Sequence, residues 1–316
     1  MAMRVLLTGV GSELGWQVAT LLEADPAVEG IVGMDLERPR RRLRRTTLHL
    51  ADPRERRRIL PVVREFEPTA IVHLGTWEPD ARSNPQVAAA RTSAGSMAVL
   101  GAAAELPGLD RIVVRSGIEV YGRSRGSASV PDESVPPLPT SAWGRSLLGV
   151  ERLAAAAGLV GDVPVATLRF APIVGARHPS PLGRYLRLPV VGFSALADPP
   201  FSVVEVEEAA RVVVAALHRR PDGALNVVSA GAVTVAQSAL IGRRVPWPVF
   251  GPEVAVLRRL SAVPEHLGEL IHRGRTADGS QAQVALGVEL SRTPDVIRQL
   301  YGWTPPADLK LLEGAA

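Results

Sequence analysis

The chain has 316 residues, 46% of them apolar, and a formal net charge of +4. That length holds a sizeable core, as one large domain or as a large and a small lobe, and the composition excludes overall disorder. Cysteine is absent, which excludes disulfides and thiolate metal sites; Lys310 is the single lysine among many arginines, a compositional bias from which no nucleic-acid partner is expected.

"MRVLLTG" is a short apolar run ending in glycine, the pattern of a buried strand. The chain enters it without the layout of a secretory signal, and no apolar run reaches the roughly 20 residues that cross a bilayer; a cytoplasmic protein with no membrane partner is expected. "SELGWQVATLLEAD" follows at helical spacing, with Leu14, Val18, Leu21 and Leu22 on one face and Ser12 as N-cap. "GIVGMD" and "TTLHLAD" read as the second and third strands, "PRERRRILPVVREF" as a helix, and "TAIVHLG" as the fourth strand. The long helix "NPQVAAARTSAGSMAVLGAAAEL", the fifth strand "RIVVRSG", the helix "TSAWGRSLLGVERLAAAAG" and the strand "VPVATLRFAPIVG" complete the regular part.

Such alternation predicts an α/β fold: a Rossmann-type doubly wound parallel sheet with helices on both faces and a smaller C-terminal substrate lobe. Residues 1–174 form the expected dinucleotide-binding domain. From Gly175 prolines break the pattern, and 175–316 is expected as the smaller lobe, partly interleaved with the sheet. It holds the helix "EVEEAARVVVAALHRR", the short strand "GALNVVS" and, from about 245 to 312, short helices separated by prolines.

"TGVGSELG" joins the first strand to the first helix. Glycines there let the backbone turn tightly and approach a pyrophosphate, while the helix N-terminus offers N–H donors. Gly9, Gly11, Ser12, Glu13, Leu14 and Gly15 are the expected cofactor contacts. Asp35 ends the second strand, where a carboxylate accepts the ribose hydroxyls of an adenosine, favouring NAD over NADP. Arg38, Arg40, Arg41 and Arg42 follow, either as a solvated loop or as a clamp for a 2′-phosphate. Asp52 either faces the adenine amino group or caps the next helix before Pro53.

These residues, with "VHLGTWEP", "VVRSGIEVYG", "SAWGRSLLGVE", "LRFAPIVG" and "VEVEEAAR", give the chain a resemblance to the extended short-chain dehydrogenase/reductases of the NAD-dependent epimerase/dehydratase group, over roughly residues 3 to 303. The resemblance implies that Leu74, Gly75 and Thr76 line the dinucleotide. It also implies a nucleotide-sugar or other small-molecule ligand, and a homodimer formed by helices such as 84–105 and 141–157. Enzymes of this group use a tyrosine as acid or base, a lysine one helical turn on that lowers its pKa from about 10, and a serine at the end of strand five. By the same alignment the serine place falls on Gly117, the tyrosine place on Trp143 and the lysine place on Leu147. An indole N–H donates a hydrogen bond but exchanges no proton near neutral pH. "GRS" and "VE" flank Trp143 and Leu147 as they flank the family pair, and no tyrosine lies between Tyr121 and Tyr185, so no shift of register restores the set. Ser12 stands at the loop's middle glycine, Thr92 and Pro172 at two asparagine places, and Glu205 at a histidine place.

The remaining candidates are few. Ser116 lies beside the Gly117 place, as a cofactor contact or as a cap or packing residue, and Tyr121 reads as packing. Glu78 and Asp80 follow the fourth strand, each either a displaced general base or a solvated loop carboxylate. His178, Arg177 and Arg184 sit where a loop would face the substrate cleft. His49 and His73 read as packing, and His218, His266 and His272 have no partner at metal spacing, so no metal is expected. Two functions follow: a dinucleotide-binding sensor or regulatory protein without the standard proton-transfer set, or an oxidoreductase or nucleotide-sugar epimerase with a non-standard acid or base.

Overall fold

A computed structural model describes residues 3–52, 54–80, 84–103, 105–250 and 263–302. The parts of the expected tail at 251–262 and 303–316, Lys310 included, lie outside the described residues. Eleven strands are described: β1 Met3–Thr8, β2 Val28–Asp35, β3 Thr46–Leu50, β4 Ala70–His73, β5 Arg111–Gly117, β6 Val165–Phe170, β7 Ile173–Val174, β8 Val190–Ser194, β9 Val204–Glu205, β10 Gly223–Val227 and β11 Val245–Val249. The helices are α1 Glu13–Ala24, α2 Arg56–Phe66, α3 Pro85–Ala103, α4 Ala142–Gly161, α5 Pro181–Leu186, α6 Val206–Arg219, α7 Val235–Ile241, α8 Glu265–Arg273, α9 Ser280–Leu286 and α10 Thr293–Leu300.

Seven parallel strands form the central sheet, in the order β10-β6-β5-β4-β1-β2-β3. Their apolar runs are buried on both faces, Val5, Leu6 and Leu7 completely. One face packs against α1, α6 and α9 through residues such as Val18, Leu22, Val213 and Leu286. The other packs against α2, α3 and α4 through Ile59, Val63, Val99 and Ala154. A third core, with Leu186, Phe201, Val235, Leu270 and Ile297, holds the smaller lobe. The order of strands reverses between β1 and β4, and ligands of open α/β sheets bind at such a switch point, beyond the C-terminal strand ends.

Several expectations change. On α1, Leu14, Val18 and Leu22 are buried, but Leu21 is 37% exposed: the buried arc runs through Leu14, Val18, Leu22, Gly15 and Ala19, and Leu21 falls just outside it. "VPVATLRFAPIVG" is two strands, not one. Pro172 has no N–H to continue the ladder, and β7 leaves the main sheet to pair with β9, where Val204 N–H donates to Pro172 O at 3.2 Å. The expected all-helical tail begins with β11, which pairs in parallel with β8. Val245 N–H donates to Pro189 O at 3.1 Å, and Pro246 and Pro248 alternate with it, so their missing donors fall on the outer edge.

Candidate functional site

The turn between β1 and α1 needs its glycines. Gly9 has φ +78°, and a β-carbon on it would stand 2.7 Å from the Leu74 carbonyl carbon. A β-carbon on Gly15 would stand 2.0 Å from Gly9 O, and one on Gly11 2.4 Å from Glu37 O. Ser12 has turned its hydroxyl back into the loop: Oγ donates to Gly9 O at 2.8 Å and accepts from Gly15 N at 3.0 Å, capping α1. The remaining N–H groups of this helix start open onto a cleft of about 350 Å³. Glu13, in the first turn, forms an ion pair with Arg41, whose guanidinium stacks 3.4 Å above the Trp16 ring. Leu14 points the other way and is fully buried in the core.

At one end of the cleft lies Asp35. Its Oδ2 accepts from Gly11 N at 2.8 Å and its Oδ1 from Leu36 N at 2.6 Å, while burial pushes its pKa above the usual carboxylate value. Arg38, Arg40 and Arg41 line the same end. Asp52 is not in the cleft wall. Its carboxylate accepts from Arg54 N at 2.9 Å, and the hydrogen-bonded Arg54 guanidinium holds its pKa at about 2.

Leu74, Gly75 and Thr76 line the middle. They are pinned from below by a polar chain. Thr8 Oγ1 accepts from Gly75 N at 3.1 Å and meets His73 Nδ1 at 2.7 Å; His73 Nε2 meets Ser96 Oγ at 2.9 Å; Ser96 donates to Thr92 O at 2.7 Å. Burial lowers the His73 pKa to about 4, so the ring is neutral, with its proton on Nε2 if Thr8 is the donor. The Thr92 hydroxyl accepts from Trp77 N at 2.9 Å, which sets the course of the loop after β4.

Glu78, Arg115 and His178 line the far end. Glu78 meets His266 Nε2, from α8, at 3.0 Å and Arg115 at 3.8 Å. Burial works to raise the Glu78 pKa, but His266 and Arg115 outweigh it and the carboxyl is held below its usual value. His178 is driven to about 4 by burial and by Arg115, and is neutral. Asp80 pairs with Arg184 at 3.0 Å. Trp16 Nε1, Thr76 Oγ1, Arg91 Nε and His178 Nδ1 are buried atoms without a hydrogen-bond partner among the described residues, and all four belong to residues lining this cleft. An unmet buried donor or acceptor costs about 1–3 kcal/mol, so a polar ligand here gains what the protein alone forgoes.

Just behind the far end, β5 finishes at Gly117 and a turn of 3-10 helix runs from Ile118 to Tyr121. A β-carbon on Gly117 would stand 2.3 Å from Glu119 Oε2 and 3.0 Å from a Leu147 methyl. Trp143 and Leu147 are 5% and 1% exposed and pack with Ile118, Val120 and Tyr121. The Trp143 ring lies 6.2 Å from that of His266. Ser116 does not face the cleft wall: its hydroxyl donates to buried Glu151 at 2.5 Å. Glu151 holds Arg169 through bonds of 2.9 and 2.8 Å, and Arg169 donates to the Tyr121 hydroxyl, which donates to Asn226.

The profile of the NAD dependent epimerase/dehydratase family matches residues 5–188, more than half of the chain. The chain belongs to this family. An uncharacterized protein of Mycobacterium tuberculosis is 27% identical over 300 residues, 90% of this chain and 79% of that protein. Among solved structures, the UDP-glucose 4-epimerase of Thermotoga maritima, determined with UDP-glucose, superposes with a TM-score of 0.76 at 18% identity, covering 98% of this chain and 100% of that one. The UDP-glucose 4-epimerase of Brucella ovis, in complex with NAD, gives 0.75 at 18% identity, covering 95% and 98%.

For a member of the epimerase/dehydratase family, the cleft wall holds Gly9, Gly11, Ser12, Glu13, Asp35, Leu74, Gly75 and Thr76 together, but not Leu14, Gly15, Asp52 or Ser116. Glu119 and Arg275 escaped the sequence reading. Arg275 is 1% exposed and stands between Glu119 at 3.9 Å and Glu269, on α8, at 2.6 Å. The usable signal for Glu119 was Gly117 itself, since a missing side chain leaves room for a neighbour's. Among the described residues no group of histidines and carboxylates could hold a metal ion, and no helix is long and apolar enough to cross a membrane.

Proposed function

We propose that this chain binds NAD in the cleft and has given up tyrosine-driven proton transfer, so that it serves as a dinucleotide sensor or regulatory protein. One observation carries the reading: Trp143 and Leu147 are core residues, and the side-chain room beside Gly117 is taken by Glu119 and Leu147. The sequence carries neither a tyrosine nor a lysine at those two places. The four orphaned polar atoms and the helix start fit a dinucleotide, with Gly9 to Ser12 at the pyrophosphate, Asp35 at the adenosine ribose and Leu74 to Thr76 along its length. NAD over NADP is supported by the Asp35 carboxylate and by the commitment of Arg41 to Glu13 and Trp16. NAD when bound supplies a hydride acceptor; this chain's residues bind and orient it. A nucleotide sugar as second ligand, and a homodimer through α3 and α4, belong to the same proposal.

A second reading rests on Glu78, which lines the cleft as a carboxylate held ionised beside His266. A displaced acid–base pair there would make the chain a working oxidoreductase or nucleotide-sugar epimerase, since such help is typically worth 10²–10⁴-fold.

Denaturing the purified protein should release NAD or NADH, and calorimetry should show the emptied protein taking up NAD. UDP-sugars and simple carbonyl compounds should leave nicotinamide absorbance unchanged. Turnover that disappears in Glu78→Gln would establish the second reading, and failure to bind any dinucleotide would remove both. To rebuild the family set, Gly117→Ser, Trp143→Tyr and Leu147→Lys need Glu119→Ala beside them, because the Glu119 carboxylate stands where the serine side chain must go.

A further inference from the structure

His178 stands on the loop between β7 and α5 and is 8% exposed. Its Nδ1 is buried without a hydrogen-bond partner among the described residues, yet the residue lines the cleft. A buried nitrogen left unbonded is unfavourable, and a ligand that meets it removes the penalty. The loop itself is fastened to the smaller lobe. His178 N–H donates to Gly175 O at 3.3 Å. Arg187, at the end of α5, donates to Gly175 O at 2.9 Å, to Ala176 O at 3.1 Å and to Leu300 O, on α10, at 3.4 Å. Ser180 caps α5, whose Leu182 and Leu186 enter the third core. The start of α1 lines the same cleft, with N–H groups that favour an anion. Charged groups reach the imidazole from four elements: Glu13 of α1, Glu78 after β4, Arg115 of β5 and Arg184 of α5, with Arg177 next to it in the chain. Glu13 is paired with Arg41, Glu78 with His266 and Arg115, and Arg184 with Asp80. Burial and Arg115 keep the ring neutral, and an anion beside it acts in the opposite direction.

Of the groups on a dinucleotide the pyrophosphate is the anion, and at the start of α1 it sits beside Glu13, one of the charges that act on this ring. We propose that His178 is the smaller lobe's own hold on the bound dinucleotide: Nδ1–H donates to a pyrophosphate oxygen, and the imidazole takes up one proton from water as that bond forms. Both ring nitrogens then carry N–H, and a cation bonded to an anion makes the stronger kind of hydrogen bond. The phosphate loop belongs to the sheet, whereas His178 is tied through its own backbone and Arg187 to α5 and α10. Occupancy of the cleft therefore reaches the lobe through one side chain. A protein that senses a dinucleotide without transforming it needs such a contact.

This inference rests on the proposal that the cleft binds NAD, and one experiment separates the two. NAD and ADP-ribose, which keeps the pyrophosphate but lacks nicotinamide, are titrated by calorimetry into the emptied full-length protein and into His178→Gln. Titrations at about pH 5.5 in two buffers of different ionisation enthalpy give the protons taken up on binding. With either ligand the native protein should take up most of a proton and bind more tightly at about pH 5.5 than at about pH 7.5, because the bound ring keeps its proton to a higher pH than the free one. His178→Gln should bind both ligands weaker by about tenfold or more at the acid pH and lose the uptake. Protons moved at Asp35 or Glu78 persist in the variant and drop out of the comparison. Weakening of NAD alone would put the ring against the nicotinamide half and overturn the inference. Weakening of both ligands with the uptake unchanged, or no weakening, also overturns it and leaves NAD binding standing. If His178→Gln does not fold, the native protein decides: uptake with ADP-ribose supports the inference and its absence overturns it, since a ribose bond to ionised Asp35 releases a proton rather than taking one up. Failure of both ligands to bind the native protein removes the underlying proposal.

Discussion

At Gly9 the backbone enters the left-handed region within van der Waals distance of the Leu74 carbonyl. A side chain there meets strain and collision together. Gly9→Ala should therefore cost about 1–3 kcal/mol in a denaturant melt and, by pushing the loop after β4 away, weaken dinucleotide binding. A variant as stable as the parent would show that the turn is not held against Leu74. The glycine at this position was legible because only a strand, a glycine and an amphipathic helix in that order demand it. Ser12 was legible as an N-cap for the same local reason. Glu119 was announced only indirectly, by the side chain missing at Gly117; its contact with Arg275 arises in space and was not legible.

Between β5, β6 and α4 the contacts are polar where the surroundings are apolar. Ser116 and Arg169 come from neighbouring strands and both grip Glu151 of α4, so the helix is locked to the sheet at one register. Arg169→Met would leave the Glu151 carboxylate buried without its cation. That loss should cost about 3–5 kcal/mol, read as a lower urea midpoint with an unchanged slope. A cost near zero would mean that Glu151 finds water or another partner. The elements of the main sheet could be read from continuous apolar runs closed by glycine, since a strand buried on both faces has little choice of residue. The strands β8 and β11 could not. "VPWPV" carries two prolines and looks like a breaker until its partner is known, and only then does their alternation mark an outer edge.

For the molecule as a whole, two neutral buried histidines tie stability to pH. His73 and His178 are both held at about 4, below the 6.5 of a free imidazole. Between those values the unfolded chain binds protons that the folded chain refuses, so stability is complete above about pH 6.5 and declines as pH falls toward 4. Urea melts of the nucleotide-free protein at about pH 7.5 and about pH 5.5 should differ by about 1 kcal/mol for each histidine, the acid side weaker. A flat profile over that range would mean that one ring or both take up protons in the folded state. The general position of the cleft was legible, because strand order and a glycine loop place it at the strand ends. Its far wall was not: Glu78 and His266 meet across 188 residues of sequence, and nothing local to either announces the other.

Arg275 belongs to the segment after α8, is packed out of water, and answers to one carboxylate on the turn after β5 and another on α8. Sheet and lobe thus share a counter-ion. Whatever draws Glu119 forward leaves that guanidinium to Glu269 alone, so an event at the mouth of the fold is settled, in part, inside its smaller half.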